Sequence, residues 1–269
     1  MSTHLQTTPW RAVKARRYLQ DQPPASPRAG LRVRLTERDL ELLRFVAAHR
    51  FVQAEHLHHL IAADRSVTYR LLSRLTNSGL LRYERVFHAQ AGVFMITNGG
   101  LAVIDSPLPR PQIDLRLYRH EQHVPALWLA ATDGLLGPVA RVRTERELRH
   151  YDRLPDTGEV VGVRLGGFHR GGRPRVHHPD LAIAHPDGTL TAVELELSLK
   201  ANRRLEEILL GYVLDQRLRV ALYLTDQDQV GRGLQRIAGQ YGAPGKVIVK
   251  RVRELSTEGI LNRLNGSVV

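Results

Sequence analysis

The stretch HHPDLAIAHPDGTLTAVELELSLKANRRLEEILLGY, residues 177–212, decides how the second half of the chain folds. A short apolar run at residues 181–184 is followed by the turn signal Asp187-Gly188. Residues 190–199 then alternate strictly between apolar and polar side chains, which is typical of a strand with one buried face. An apolar stripe with helical spacing continues to Tyr212 and Val213. The stretch therefore predicts a strand, a turn, a second strand and a helix.

The register of this hairpin can be predicted by requiring both apolar sets to share one face. We expect Leu181 to pair with Leu195 and Ile183 to pair with Val193. This pairing needs a loop with an odd number of residues, most simply Asp187-Gly188-Thr189, with the glycine available for a positive φ.

The same register predicts a cluster of acids on the other face of the hairpin. Asp180 lies opposite Glu196 and Ala182 lies opposite Glu194, so three carboxylates meet there. Like charges that face each other across strands repel, and a cation is expected among them. A divalent metal is one candidate and an Arg or Lys side chain is the other. The simpler interpretation is a strand face in contact with solvent.

Pro179-Asp180 followed after a hairpin by Glu194 resembles the PD-(D/E)xK motif of restriction-endonuclease-like folds. The resemblance implies that Asp180 and Glu194 hold Mg²⁺ or Mn²⁺ and that the third position helps to position or activate water. Here the third position is Glu196 instead of Lys, which leaves catalysis open. Lys200 lies roughly 13 Å further along an extended strand and reaches the site only if the strand ends early. Glu121, in a helix predicted for residues 115–132, is a further candidate carboxylate, or an ordinary exposed Glu.

A different pattern begins at Leu35. Thr36 and Asp39 have the spacing of a capping box that starts a first helix. A second helix is predicted for residues 53–63, and a third is expected to begin at its N-cap Ser66 and end at Gly79. Two short strands, residues 80–85 and 92–96, follow with a loop between them. This order resembles winged-helix DNA-binding domains over residues 35–105.

The third helix of this region presents hydroxyl groups, arginines and an asparagine on its predicted outer face, and the wing adds two arginines. Such side chains suit phosphate and base-edge contacts in a major groove. The alternative is a winged helix that contacts protein or forms a dimer. The expected DNA-binding residues are Ser66, Thr68, Arg70, Ser73, Arg74, Asn77, Arg82 and Arg85.

Two histidines of the second helix, His56 and His59, are spaced i and i+3. We interpret them as an exposed helix surface and not as metal ligands, because no carboxylate cluster accompanies them.

The segment from Lys200 to Tyr212 narrows the resemblance to the replication-relaxation family of plasmids and integrative mobile elements. Across residues 35–215 this implies an α+β chain: an N-terminal winged helix-turn-helix followed by a mixed α/β restriction-endonuclease-like domain. We expect a flexible basic arm at residues 1–34, the winged helix at 35–105 and the PD-(D/E)xK-like domain at 112–269, with a proline-rich boundary between the two domains. Within the last, the basic, glycine-rich segment 166–173 is either a clamp on a nucleic acid backbone or a plain connection.

The composition favours a polyanionic partner. The 269 residues carry 39 Lys and Arg against 27 Asp and Glu, a net charge of +12, although an arginine-rich proteome would give the same surplus. The absence of Cys excludes disulfides and fits a reducing cytoplasm, and no apolar run is long enough for a membrane span.

Two functions follow as expectations. The first is a double-stranded-DNA-binding protein, expected to be a cytoplasmic homodimer, that acts in plasmid replication, DNA transfer or its regulation. The second is a metal-dependent DNA nickase or endonuclease that is targeted by its winged helix, with Asp180, Glu194, Glu196 and Lys200 at its site.

Overall fold

A computed structural model describes residues 34–154, 162–168, 172, 174–197, 202–243 and 245–252. Residues 1–33 of the arm predicted at residues 1–34, Lys200 and a helix expected at residues 255–264 lie outside the described residues. The fold is mixed α+β. Within the described ranges, no helix is both long and apolar enough to cross a membrane.

Residues 34–105 alternate short helices and strands. The three strands form an antiparallel sheet in the order β1-β3-β2. The helices predicted here and the two strands predicted at residues 80–85 and 92–96 are confirmed, whereas the short strand β1 was not predicted. The elements are α1 (Glu37–Ala48), β1 (Val52–Gln53), α2 (Ala54–Ile61), α3 (Arg65–Asn77), β2 (Leu81–Glu84), β3 (Val93–Ile96) and α4 (Asn98–Val103).

The helix ends in this region follow from local side-chain chemistry. The Thr36 and Asp39 capping box is confirmed, because the Thr36 N–H donates to Asp39 Oδ2 at 2.7 Å and the Asp39 N–H to Thr36 Oγ1 at 3.3 Å. The prediction that Ser66 caps α3 was wrong, since the helix begins one residue earlier and its N-cap is Asp64. Gly79 closes α3 with φ +71°, as its place after the helix predicted.

A second set of elements follows a 3₁₀ turn, Leu115–Leu117. The strand order is β10-β9-β8-β7-β4, in which β7 runs antiparallel to both β4 and β8, and β9 runs parallel to both β8 and β10. Strands β5 and β6 form a separate hairpin. The elements are α5 (Tyr118–Thr132), β4 (Arg141–Thr144), α6 (Glu145–Tyr151), β5 (Val163–Phe168), β6 (Pro174–His177), β7 (Leu181–Ala184), β8 (Leu190–Leu195), α7 (Asn202–Leu214), β9 (Leu218–Leu224), α8 (Asp228–Gln240) and β10 (Val247–Lys250).

The predicted register of the β7–β8 hairpin was wrong by two residues. Leu181 pairs with Val193 and Ala182 with Ala192, so neither Glu194 nor Glu196 has the predicted partner. The reason lies in the turn, where the Asp187 carboxylate accepts the Thr189 N–H at 3.0 Å and Thr189 O accepts the His185 N–H at 2.9 Å, so the loop is Pro186-Asp187-Gly188 and not Asp187-Gly188-Thr189. A shift of two residues preserves which side chains share a face.

The segment that was expected to be a basic loop is partly a strand. Gly166 and Gly167 belong to β5, where they have φ values of +75° and +68°. The pairing with β6 shifts between Arg164 and Phe168, which marks a bulge that only glycine adopts without strain. Residues 169–171 and 173 lie outside the described residues.

Apolar side chains cover both faces of the five-stranded sheet. On one face, Val193 and Leu195 join a cluster that also contains α5 and the core of residues 40–104. Phe45 of α1 and Trp128 of α5 meet within that cluster, with ring centroids 5.2 Å apart. On the other face, α7 and α8 bury a second cluster around Ala192. The two predicted domains therefore share one hydrophobic core, and Glu194 of β8 lies between packed layers.

Candidate nucleic-acid interface and buried acid cluster

Asp180 lies directly before β7 and is held by two donors. Its Oδ2 accepts the Leu195 N–H at 2.7 Å and lies 3.0 Å from Nε2 of His120, on α5. Burial alone lowers the pKa of His120, but the charge of Asp180 and its hydrogen bond outweigh burial and raise that pKa to about 9. His120 is therefore protonated at neutral pH and supplies the cation beside this acid. The prediction named a metal, Arg or Lys for that role.

Glu194, near the end of β8, is buried at 2% exposure. Its Oε1 lies 2.5 Å from Nε2 of His177 on β6 and accepts the hydroxyl hydrogen of Tyr212 on α7. Burial, and then the charge of Glu194, raise the pKa of Tyr212 well above its ordinary value. Two other elements, β6 and α7, therefore contact this carboxylate.

The three acids of the motif lie near one another around Tyr223. Burial raises the pKa of Tyr223 well above its ordinary value, and the charges of Glu194, Glu196 and Asp180 raise it further. Glu196 is buried at 4% exposure, just beyond β8, where its N–H donates to Leu224 O at 2.9 Å. All three acids therefore raise the pKa of one buried tyrosine, in a hairpin register that differs from the predicted one.

Glu121 is not the ordinary exposed Glu that the sequence favoured. It is buried at 9% exposure and its Oε1 accepts from Arg50 Nε at 2.7 Å. Burial raises its pKa, against the attraction of Arg50. Arg50 follows α1, so this ion pair joins the first set of elements to α5, one residue from His120.

The predicted metal ligands do not fit a metal site in this arrangement. Asp180 and Glu194 each already accept hydrogen bonds from a backbone or side-chain donor and contact a histidine. Among the described residues, no group of three or more His, Asp or Glu side chains is placed to hold a metal ion. We therefore derive no metal-dependent step from these residues.

The side chains that contact these acids were not predicted from the sequence. His177 belongs to the same HHPD segment as Asp180, and Tyr212 lies on the apolar stripe of α7. Sequence spacing does not predict that either side chain contacts Glu194, because both contacts depend on how β6 and α7 pack over β8.

Four of the predicted DNA contacts form one exposed stripe along α3. Ser66, Arg70, Ser73 and Asn77 follow the spacing i, i+4, i+7 and i+11, and all four are exposed. Tyr69 borders this stripe at 55% exposure and was not predicted. The helix contains three arginines and no acid. The stripe is therefore a polar surface without negative charge.

Two predicted contacts of α3 have other roles. Thr68 is buried at 1% exposure and donates its hydroxyl to Asp64 O at 3.3 Å, so the expectation that it faces outward was wrong. Arg74 donates to Asp39, at the start of α1. Thr68 lies one turn before Leu72 and two turns before Leu75, so helical spacing places it on the side of α3 that packs inward.

The wing arginines differ in their surroundings. Arg85, just beyond β2, is exposed. Arg82 is half-exposed and pairs with Glu84, whose carboxylate lies 3.3 Å from its guanidinium. Arg85 is thus the less neutralised of the two cations.

The two histidines of α2 are not a shared exposed surface. His56 is fully buried and its Nδ1 accepts the Gln53 N–H at 3.0 Å. His59 lies 2.9 Å from Asp133 Oδ2. The prediction of an exposed pair was therefore wrong, because the helix turns His56 into the core.

No protein-family model matches this chain, and no curated protein is significantly similar to it.

Proposed function

We propose that this chain binds duplex DNA through α3, with the wing between β2 and β3 as a second contact. The observation that carries the proposal is the exposed stripe of Ser66, Arg70, Ser73 and Asn77 on a helix without acids. Its hydroxyl, guanidinium and amide groups suit phosphates and base edges, and the net charge of +12 favours a polyanion.

The order of elements supports a winged helix in this role. Helix α1, strand β1, helices α2 and α3, and strands β2 and β3 follow one another, with β3 central in a three-stranded sheet. In such domains the third helix enters the major groove and the strand pair lies beside it.

The second set of elements supports a nuclease-like domain. Helix α5 precedes the antiparallel strands β4, β7 and β8, and α7 then leads into β9, parallel to β8. A mixed sheet covered by helices agrees with the α/β domain that the PD-(D/E)xK resemblance implies. Because histidines and Tyr212 already contact Asp180 and Glu194, we propose that this acid site is catalytically inactive. The alternative, a metal-dependent nickase or endonuclease, requires Asp180 and Glu194 to be released from these contacts.

The resemblance to replication-relaxation proteins extends the proposal to a physiological role. On that basis the chain acts as a homodimer in plasmid replication, DNA transfer or its regulation. The DNA-binding proposal does not depend on this role.

The test is fluorescence anisotropy of the full chain with a mixed-sequence duplex at several salt concentrations. We expect Arg70→Ala to weaken binding and to reduce the log-log salt slope by about 0.9, the value for one phosphate contact. The matched control is Arg232→Ala, an exposed arginine on α8. Equal affinity and slope in both variants and the wild type would exclude the α3 stripe as the main contact.

A further inference from the structure

The β5–β6 hairpin and the start of α7 place three guanidinium groups around one carboxylate. Arg175 Nη2 on β6 lies 2.6 Å from Glu207 Oε2. Arg203 Nε and Arg204 Nη1, both on α7, lie 3.6 Å and 3.7 Å from the same carboxylate group. We call Arg175, Arg203 and Arg204 the arginine trio.

The trio lies at the surface and has more positive charge than its surroundings neutralise. The side chain of Arg203 is 93% exposed and that of Arg204 is 44% exposed. The hydrogen bond from Arg175 is the main cause that holds the pKa of Glu207 below its ordinary value, so this carboxylate stays negative. Glu206 is the other acid of α7, so the three guanidinium groups of the trio outnumber the two carboxylates of this helix.

The sequence around the hairpin adds to the surplus of positive charge. Between Glu159 and Asp180 it contains four arginines, one of which is Arg175, and no acid. Leu205, Ile208 and Leu209 are buried and anchor α7 on the sheet, so the start of the helix holds Arg203 and Arg204 at a defined place.

We propose that the arginine trio binds the phosphate backbone of duplex DNA, an inference that rests on the proposed function. Arginine suits this contact because its planar guanidinium binds two phosphate oxygens at once. Exposed ion pairs such as that of Arg203 with Glu207 contribute little, so phosphate can replace the carboxylate. Backbone contacts hold the duplex without reading its sequence.

The experiment uses a double variant of α7, which carries both Arg203→Ala and Arg204→Ala. Its control is a double variant of α8, which carries both Arg232→Ala and Arg236→Ala. All four arginines are exposed, and thermal melting of each variant checks that the fold is intact. We expect the α7 variant to bind duplex DNA about tenfold more weakly than the wild type. The log-log salt slope should fall by the equivalent of up to two phosphate contacts. The loss should be the same on duplexes of different sequence, and the control should bind like the wild type.

The outcomes separate this inference from the proposed function. If the wild type binds DNA and Arg70→Ala weakens binding while the α7 variant matches the control, the trio inference is wrong and the proposed function stands. If the wild type binds no duplex at low salt, the proposed function fails and this inference fails with it. A loss confined to one DNA sequence would also overturn the inference, because it would indicate base reading.

Discussion

Arg74 on α3 donates a hydrogen bond to Asp39, whose carboxylate also accepts the N–H of Thr36 at the start of α1. Asp39 is buried at 1% exposure. Burial raises the pKa of Asp39, but hydrogen bonds from Arg74 and Thr36 outweigh it, and the net direction is down. The contact ties the helix with the exposed stripe to the first helix, so Arg74 positions α3.

We predict that Arg74→Ala lowers the free energy of unfolding by roughly 1.5–3 kcal/mol, because it removes a charged hydrogen-bond partner from a buried carboxylate. Urea denaturation measures the change, and Arg70→Ala is the matched control from the exposed stripe. Asp39→Ala combined with Arg74→Ala should cost less than the sum of the two single changes. Additive costs would show that the two side chains do not interact in solution.

The shared hydrophobic core predicts that the two sets of elements unfold together. Trp128→Ala should cost about 3–5 kcal/mol, because this α5 side chain packs on Phe45 of α1. Hydrogen exchange should then accelerate both in α1 and in β8. Leu214→Ala, at a position 69% exposed, is the control and should change neither. Faster exchange in only one set would contradict a common core.

Two buried histidines predict a loss of stability in acid. Burial lowers the pKa of His49 to about 4 and that of His56 to about 3, whereas the unfolded chain has about 6.5 for both. Between pH 6.5 and the folded pKa of each histidine, the unfolded chain binds a proton at that histidine and the folded chain does not, so the free energy of unfolding falls as the pH falls. Each histidine contributes about 1.4 kcal/mol per pH unit to this fall, and nothing above pH 6.5.

His56→Gln isolates one of these contributions. Urea denaturation between pH 7 and pH 4 should give a smaller pH dependence for this variant than for the wild type, whatever its stability at pH 7. His88→Gln, at an exposed position, should keep the wild-type dependence. Identical profiles for His56→Gln and the wild type would show that His56 is not buried in its neutral form.

If the acid site is catalytically inactive, as proposed, a divalent metal ion should have little effect on the free energy of unfolding. Thermal melting of the wild type with Mn²⁺ should match melting without it, because histidines and Tyr212 hold Asp180 and Glu194. A bound ion would instead stabilise the fold by about 2.7 kcal/mol at a hundredfold excess over its dissociation constant. A shift that disappears in Glu194→Ala, together with nicking of supercoiled plasmid, would favour the nuclease alternative.

The sequence predicts most elements of this fold because each has a local signal. The Thr36 capping box, Gly79 after α3 and the alternation in β8 depend on residues a few positions apart. The hairpin register was wrong because it depends on which turn residues bond to one another, and the Asp187 carboxylate selects a different turn from the simplest one.

The partners of the site residues are long-range contacts and have no such signal. His120 is separated from Asp180 by 60 positions, and Arg74 from Asp39 by 35. The sequence identifies these residues as polar and suitable for a site. Only the packing of α5 on the sheet and of α3 against α1 shows which charges meet.

Site-directed crosslinking tests the central claim, that the exposed stripe of α3 contacts duplex DNA. The chain has no Cys, so Ser73→Cys provides a single thiol within the stripe for a photoactivated crosslinker. Gln235→Cys, exposed on α8, provides the matched control. We predict crosslinks to duplex DNA from position 73, suppressed by high salt, and none above background from position 235. Equal crosslinking from both positions, or none from position 73 under conditions where the chain binds DNA, would contradict the account.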